Sequence, residues 1–158
     1  DNVIIRAGAK VGVNCHYHFP RGRWHRSFSG VGGLIIGNSV EIGANTVIQH
    51  GSLSDTVIGD GTIIGNLVEI AHDVQIGAGC LIISQAGICG NVTIGDNVEI
   101  YGQAGIANGV KIGDGAVIFA KSAVTKNISA GQMVSGMFSR DHVRELRTQA
   151  KLRRLVND

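Results

Sequence analysis

Residues 58–76 read IGDGTIIGNLVEIAHDVQI, and this stretch decides the fold because isoleucine returns at every sixth position. The same spacing continues to position 124, where valine takes the place of isoleucine. Eleven consecutive isoleucines share it: Ile58, Ile64, Ile70, Ile76, Ile82, Ile88, Ile94, Ile100, Ile106, Ile112 and Ile118. A spacing this regular over such a length indicates a structural repeat.

A period of six excludes an α-helix, whose period is about 3.6 residues, and favours short strands joined by tight corners. A second apolar residue often lies two positions before each isoleucine, as at Val74, Val92 and Val98. This Val-x-Ile alternation gives each strand two inward side chains. Glycine often follows the isoleucine, and we expect it to relieve the sharp corners. The sequence therefore predicts an all-β fold, a parallel β-helix of hexapeptide repeats with three faces and about 18 residues per coil.

Stacked coils align the repeating residues in three inward rows. The expected rows are Ile58, Ile76, Ile94 and Ile112; Ile64, Ile82, Ile100 and Ile118; and Ile70, Ile88, Ile106 and Val124. The repeat is also present upstream, at Ile36, Ile42 and Ile48, but its register shifts across residues 49–56. Further upstream, Ile5 and Val11 indicate one more pair of faces.

Two segments depart from the repeat. Residues 13–34 form an excursion rich in histidine, arginine, glycine and aromatic residues, and such insertions in solenoids often carry binding residues. We expect the repeat to stop after Ile128 and residues 140–156 to form a basic helix. The predicted division is a β-helix over 1–139 and a basic C-terminal helix over 140–158. Because the chain starts inside a repeat, we expect an N-terminal portion to precede it.

The composition argues against several classes of protein. A net charge of +2 gives no general affinity for nucleic acid. The 24 glycines do not recur at every third position and are accompanied by one proline, which excludes collagen. The three cysteines lack CxxC spacing and leave one unpaired, which favours a reducing compartment. With no secretory signal or transmembrane segment in the sequence, we expect a cytoplasmic protein.

His72 is the candidate catalytic residue. It follows an inward isoleucine by two positions, at a corner, where we expect its ring to point outward. Asp73 comes directly after it and is placed to orient the ring and stabilise its charged form. Gly90 lies one coil further along, so its N–H is expected to face the same space. A base beside an N–H donor suits attack on a thioester, because one takes the nucleophile's proton and the other holds the oxyanion. A solvated corner histidine is the alternative.

Other candidates lie outside that corner. The excursion carries cations and rings suited to phosphate and base contacts, namely His16, Tyr17, His18, Phe19, Arg21, Arg23, Trp24, His25 and Arg26. A mobile cationic loop is the alternative there. His50 lies in the register shift, where a structural role is favoured. No histidine occurs between positions 73 and 141, so a three-histidine zinc site cannot be assembled and no metal is expected. The basic helix is either a solvated face or a docking surface for an acidic acyl carrier protein.

Longer motifs resemble those of a known family. They are IIGNSVEIGANT at 35–46, DTVIG at 55–59, NLVEIAH at 66–72, GQAGIA at 102–107, RTQAKLRRL at 147–155 and RGRW at 21–24. Together they are similar to motifs of the UDP-3-O-acylglucosamine N-acyltransferases of lipid A synthesis, which are hexapeptide-repeat acyltransferases. The resemblance covers nearly the whole chain, and the NLxxIAH motif is its most specific part.

The resemblance implies a homotrimer of left-handed β-helices with active sites at clefts between subunits. It implies transfer of a hydroxyacyl chain from acyl carrier protein to the amine of a UDP-amino sugar. It places the general base on His72 and the oxyanion donor on Gly90. The candidate substrate-binding residues are Asn66, Glu69, His50 and Trp24.

The chain also departs from that family. Gly65 stands where the family has aspartate, Gly109 where it has a second histidine, and residues 49–51 where it has Asp-Arg-Gly. The domain that helps hold the uridine in that family is not in this sequence. The His72–Asp73 pair is similar instead to the His-Glu pair of short-chain N-acetyltransferases that act on bacterial amino sugars with acetyl-CoA. Asp73 is therefore interpreted as the residue that orients His72.

The sequence predicts an N-acyltransferase acting on the amine of a nucleotide-linked amino sugar, in lipid A or surface-polysaccharide synthesis. The expected donor is acyl carrier protein or acyl-CoA, with no tightly bound cofactor. The alternatives are a short-chain acetyl-CoA-dependent amino-sugar N-acetyltransferase, a zinc hydratase of the same fold and a non-catalytic β-helix scaffold.

Overall fold

The computed structural model describes residues 1–15, 17–137 and 139–157, most of which wind into a parallel β-helix with three faces. Face 1 contains β1 (Ile4–Ile5), β6 (Glu41–Ile42), β9 (Ile63–Ile64), β12 (Leu81–Ile82), β15 (Glu99–Ile100), β18 (Val117–Ile118), β20 (Met133–Ser135) and β21 (Arg140–Asp141). Face 2 contains β2 (Lys10–Val13), β7 (Val47–Gln49), β10 (Glu69–Ile70), β13 (Gly87–Ile88), β16 (Gly105–Ile106) and β19 (Ala123–Val124). Face 3 contains β5 (Leu34–Ile36), β8 (Thr56–Ile58), β11 (Gln75–Ile76), β14 (Thr93–Ile94) and β17 (Lys111–Ile112).

The three predicted inward rows are confirmed. Ile76 pairs with Ile58 and Ile94, Ile82 with Ile64 and Ile100, and Ile88 with Ile70 and Ile106. The row residues are buried, and so are the valines two positions before them. Upstream, Ile42 pairs with Ile5 and Ile48 with Val11, so the first coil also follows the predicted pattern. This apolar interior supplies most of the stabilisation of a fold with very short strands.

The role predicted for glycine at the corners is wrong. The left-handed backbone conformation occurs two residues later than expected, at positions such as Leu67, Asp73 and Gln85. Glycine after the isoleucine is needed instead for close stacking of the coils. A Cβ on Gly59 would lie 2.4 Å from the carbonyl carbon of Gly77 in the next coil. The repeat therefore places glycine where the backbones of successive coils meet.

The solenoid extends past the predicted end of the repeat. Ile128 pairs with Ile112, and Val134 pairs with Ile118 and is buried. These pairs are sixteen residues apart rather than eighteen, which hides the repeat from a search at fixed spacing. Arg140 and Asp141 then form a strand that pairs antiparallel with β20, so the helix begins later than predicted.

The single described helix, α1 (His142–Asn157), closes the chain. Asp141 caps it, since its Oδ1 accepts a hydrogen bond of 2.9 Å from the Arg144 N–H. The His142 ring stacks on Phe119 with their centroids 4.6 Å apart, which holds the start of the helix against face 1. Within the described ranges, no helix has the length and apolarity that a membrane crossing requires.

The excursion contains a hairpin that projects from the solenoid. Strands β3 (Tyr17–Arg21) and β4 (Trp24–Phe28) pair antiparallel, with Gly22 in the left-handed conformation at the turn. The chain then returns through residues 29–33 to β5, and this return segment packs on the register shift at 50–55. The two departures from the repeat are therefore neighbours in space.

Replacing Ile94 with alanine should lower the free energy of unfolding by about 2–5 kcal/mol, as for other large-to-small changes in a core. Ile94 is 2 % exposed and lies between Ile76 and Ile112 in its row. Denaturant unfolding would measure the loss, with Ile35→Ala as the control because Ile35 is 52 % exposed. An unchanged unfolding midpoint for Ile94→Ala would show that the inward row is wrongly assigned.

Candidate active site

The register shift forms a loop over Asp73. Between β7 and β8 the chain uses residues 50–55 to turn from face 2 to face 3, whereas the next coil makes the same turn with residues 71–74. The longer loop folds over Asp73, which lies in the shorter corner of the coil beside it. A corner that elsewhere faces solvent is therefore covered at this one level of the solenoid.

The Asp73 carboxylate is held by hydrogen bonds from this loop. Its Oδ1 accepts from the N–H groups of Ser52, Leu53 and Ser54 at 2.9, 3.2 and 2.9 Å, and from the Ser54 hydroxyl at 2.9 Å. Its Oδ2 accepts a short hydrogen bond from the Ser52 hydroxyl. Asp73 itself adopts the left-handed conformation, with φ of 58°. Backbone and side chains thus fix both oxygens of one carboxylate.

These contacts keep Asp73 ionised. Burial by itself would raise the pKa of Asp73, but the hydrogen bonds from Ser52, His72 and Ser54 outweigh it. The pKa of Asp73 is therefore well below its usual range, because every one of these donors favours the charged form. Near neutral pH, Asp73 therefore carries a negative charge.

His72 lies between Asp73 and the next coil. Its Nδ1 is 2.7 Å from Asp73 Oδ2, and since an ionised carboxylate can only accept, Nδ1 carries the proton of this hydrogen bond. The neutral ring then has its lone pair on Nε2, which is the atom that can take up a proton. The His72 side chain is 9 % exposed, so the corner at which its ring was expected to point outward is covered and not open to solvent.

Gly90 makes room for the imidazole. A Cβ at position 90 would lie 2.6 Å from His72 Cε1 and 2.7 Å from Nε2. Any side chain at this position would therefore displace the ring. The sequence correctly indicated that Gly90 lies one coil beyond His72, and the structure brings its Cα directly beneath the Nε2 edge.

The Gly90 N–H lies at an uncapped corner. Elsewhere such corner amides donate to a side chain in the next coil, as Ala78 does to Asp96 and Asp96 does to Asp114. The equivalent residue for Gly90 is Asn108, and within the part of the chain that the structure describes the Gly90 N–H makes no such bond. The residue that packs against the His72 ring therefore keeps a backbone donor for a further hydrogen bond.

A groove runs along the outer side of face 2, and its lining includes Ala71 and Cys89, the chain neighbours of His72 and Gly90. Its volume is about 480 Å³, and its walls are mostly small residues: Ala71, Gly87, Cys89, Gly105, Ala107 and Ala123. Gln49 and Glu69 also line it, joined by a hydrogen bond of 2.8 Å from Gln49 Nε2 to Glu69 Oε1. Small outward residues on successive coils leave a channel that an extended molecule can follow.

Of the other predicted residues, Glu69 lines the groove. Asn66 occupies the corner between faces 1 and 2, where its Oδ1 accepts from the Ala44 N–H at 2.8 Å. His50 contacts Gly51 O at 2.8 Å and Asn14 Oδ1 at 3.3 Å, so it ties the loop to the start of the excursion. Trp24 lies on the hairpin and is 77 % exposed. His16 is outside the described residues.

Residues 55–90 match the bacterial transferase hexapeptide family, over its six repeats. Curated relatives include a UDP-3-O-acylglucosamine N-acyltransferase from Saccharophagus degradans, 44% identical over 75 residues, and one from Rickettsia conorii, 48% identical over 75 residues. Each match covers 48% of this chain and 22% of the relative. This chain therefore aligns with about a fifth of the length of these curated relatives.

Solved structures share the fold over most of the chain. LpxA from Acinetobacter baumannii is 26% identical with a TM-score of 0.78, covering 94% of this chain and 57% of that chain. The acetyltransferase domain of PglB from Neisseria gonorrhoeae, in complex with acetyl coenzyme A, is 24% identical with a TM-score of 0.72, covering 89% and 57%. These similarities confirm the predicted β-helix class.

Sequence reasoning missed Ser52, Ser54 and Gln49. Ser52 and Ser54 hold Asp73 from about twenty positions away, and Gln49 is buried against Glu69. The signal in the sequence was the register shift itself. It inserts polar residues into an otherwise regular solenoid, which indicates that these residues have a specific role. Among the described residues, no group of three or more His, Cys, Asp or Glu side chains is arranged to hold a metal ion.

The Asp73→Asn variant should lose thermal stability at neutral pH, and the loss should shrink in acid. Because the pKa of Asp73 is lower in the folded than in the unfolded chain, ionised Asp73 stabilises the fold above its unfolded pKa of about 3.9. That contribution disappears as the pH falls below this value towards the lowered pKa. Melting temperatures of wild type and variant between about pH 3 and 7 measure the effect. A difference that does not vary with pH would contradict the assignment.

Proposed function

We propose that this protein is an N-acyltransferase, which moves an acyl group from a thioester donor to the amine of a nucleotide-linked amino sugar. The observation that carries the proposal is the His72–Asp73 pair packed against Gly90, directly next to Ala71 and Cys89 in the lining of the small-residue groove. The names of the sequence relatives and of several structural neighbours support the reaction class.

His72 Nε2 acts as the general base. As the amine nitrogen attacks the thioester carbonyl, Nε2 takes its proton, and Asp73 stabilises the imidazolium that forms. The carbonyl oxygen becomes an oxyanion, which accepts a hydrogen bond from the Gly90 N–H. Collapse of the tetrahedral intermediate breaks the carbon–sulfur bond, and the imidazolium returns the proton to the leaving thiolate. The products are an amide and a thiol, with His72 neutral again.

The groove along face 2 is suited to the thioester arm of the donor. Its lining includes Ala71 and Cys89, the chain neighbours of His72 and Gly90, and its small apolar residues accept a narrow, extended chain. Both acyl-CoA and acyl carrier protein present the thioester on such an arm. Helix α1 exposes Arg144, Arg147 and Lys151 together with Arg153 and Arg154, which would attract an acidic carrier protein.

The amino sugar binds beside His72 and the face 2 groove. Glu69, with Gln49 behind it, offers a carboxylate to the sugar or its ammonium group near the corner. The exposed Trp24 and its neighbours Arg23 and Arg26 on the hairpin are suited to the base and phosphates of the nucleotide. Asn66 and His50 already have partners within the fold, so they support the site's walls.

A homotrimer in the cytoplasm fits this proposal. Face 1 exposes outward apolar residues, including Ile63 at 45 % and Met133 at 43 %, which closed symmetric packing would bury. The three free cysteines fit a reducing compartment. Light scattering at micromolar concentration is expected to give a trimer, and a monomer would remove any intersubunit cleft from the proposal.

A donor and acceptor panel tests the function. The purified protein would be mixed with acetyl-CoA, longer acyl-CoAs or acylated carrier proteins, and with a set of UDP-, GDP- and dTDP-linked amino sugars. We expect thiol release that depends on the amino sugar, together with an amide product of the matching mass. The same sugars without a free amine serve as the control. Thiol release that does not need the amine, or none with any pair, would overturn the proposal.

A further inference from the structure

The loop at residues 50–55 inserts extra residues at a corner between faces 2 and 3, one coil after the longer excursion at the same corner. It directs three backbone N–H groups and two hydroxyls at a single carboxylate, that of Asp73. The side chain of Ser52 is buried. Because these five donors of the insertion all bind one carboxylate, the insertion does more than connect two strands.

The two oxygens of Asp73 have different partners. Oδ1 is bound by the loop amides and the Ser54 hydroxyl, whereas Oδ2 receives the Ser52 hydroxyl and His72 Nδ1. With Oδ1 fixed on the loop, rotation of the carboxylate away from the imidazole would break several hydrogen bonds at once. The Ser52 hydroxyl and His72 thus share the oxygen that sets the orientation of the ring.

The return segment of the excursion braces this loop. Val31 N–H donates to Ser52 O at 2.8 Å, and Gly33 N–H donates to Asp55 Oδ1 at 2.6 Å. A Cβ on Gly30 would lie 2.2 Å from Gly51 O, and one on Gly32 would lie 2.1 Å from Ser54 O. These glycines let the segment lie directly against the loop, so the loop is pressed onto Asp73 from outside.

We propose that Ser52 and Ser54 are positioning residues, which orient Asp73 so that its Oδ2 aligns the His72 imidazole for proton transfer. This inference rests on the proposed function of His72 as the general base. Neither serine touches the reacting atoms, and each acts through Asp73. The loop thereby fixes the geometry of the His72–Asp73 pair. Two adjacent side chains at a corner without such a loop would be free to rotate.

The test compares wild type, Ser52→Ala, Ser54→Ala and the double variant. The matched control is Thr62→Val, which also removes a buried hydroxyl with two hydrogen bonds, to Gly77 O and from Cys80 N–H, at the corner between faces 3 and 1. Three quantities are measured on each protein: kcat and KM with the amino sugar, the melting temperature, and the downfield proton resonance of His72 Nδ1–H in protein labelled with ¹⁵N-histidine.

We expect the double variant to lose about tenfold in kcat at unchanged KM, the size of one hydrogen bond to a charged group. Its Nδ1–H resonance should weaken or move upfield, with smaller changes in each single variant. Thr62→Val should lose melting temperature while kcat and the resonance stay as in wild type. A double variant with wild-type kcat and resonance, whatever its melting temperature, would overturn the proposal.

The Nδ1–H resonance of His72 tests this inference independently of the proposed function. If wild type turns over no donor and acceptor pair, the proposed function fails, yet the resonance still reports whether the serines hold Asp73 on His72. If the double variant does not fold, Ser54→Ala decides alone, because the three loop amides and the Ser52 hydroxyl still support Asp73 there. A Ser54→Ala resonance identical to that of wild type would then overturn the proposal.

Discussion

Replacing His72 with alanine is expected to lower kcat by about 10²–10⁴-fold, the range that a positioned general base contributes. The imidazole is the base that the described residues of this corner offer to the attacking amine, because the lowered pKa of Asp73 and its hydrogen bonds from the loop make that carboxylate a poor proton acceptor. The Gly90 N–H and the groove remain in the variant, so substrate binding should change little. Steady-state kinetics with the preferred pair would show a loss in kcat at nearly constant KM. Turnover at the wild-type level would show that His72 is only a buried corner residue, and the family resemblance would then describe ancestry and not mechanism.

The Gly90→Ala variant should lose activity almost as completely, by about 10²–10³-fold. Its Cβ would lie within 2.7 Å of two atoms of the His72 ring, so the ring must swing away from Asp73 or the coils must separate. Either movement misplaces the base relative to the oxyanion donor. Kinetics should show the loss in kcat, while circular dichroism shows that the β-helix is retained.

The double variant His72→Ala/Gly90→Ala is the control for this explanation. If the added methyl group acts by displacing the ring, the double variant should be no slower than His72→Ala alone, because the ring is already absent. Losses that multiply would show that Gly90 acts independently of His72. Activity of Gly90→Ala close to that of wild type would contradict the close packing of the two coils.

The inward side of the solenoid could be predicted in detail from sequence. Each coil contacts only its neighbours, so a row such as Ile58, Ile76 and Ile94 follows from spacing alone. The prediction fails where the spacing changes. Val134 was missed because its coil is shorter than the others. The role of the glycine after isoleucine was misinterpreted, because sharp corners and close stacking of coils both favour glycine, and the sequence alone does not distinguish the two causes.

The candidate site could be predicted only in part from the spacing of residues in the sequence. Spacing by one coil correctly brought Gly90 to His72, since the solenoid converts sequence distance into contact. The burial of the His72 ring was not predicted, because the corner was treated like all others. The path of the loop over Asp73 depends on its own hydrogen bonds and on the packing of residues 30–33, neither of which has a period. In a repeat protein, the structure therefore adds most to the sequence at the insertions.

The most direct test of the account is a crystal structure of the protein with the preferred amino sugar and a non-reactive analogue of the thioester donor. We predict that the donor carbonyl oxygen lies about 2.7–3.1 Å from the Gly90 nitrogen. The sugar amine should lie about 2.6–3.2 Å from His72 Nε2, or one water molecule away, with the donor arm in the groove of face 2. A ternary complex in which the amine and the carbonyl meet at another corner, with His72 facing neither, would contradict it.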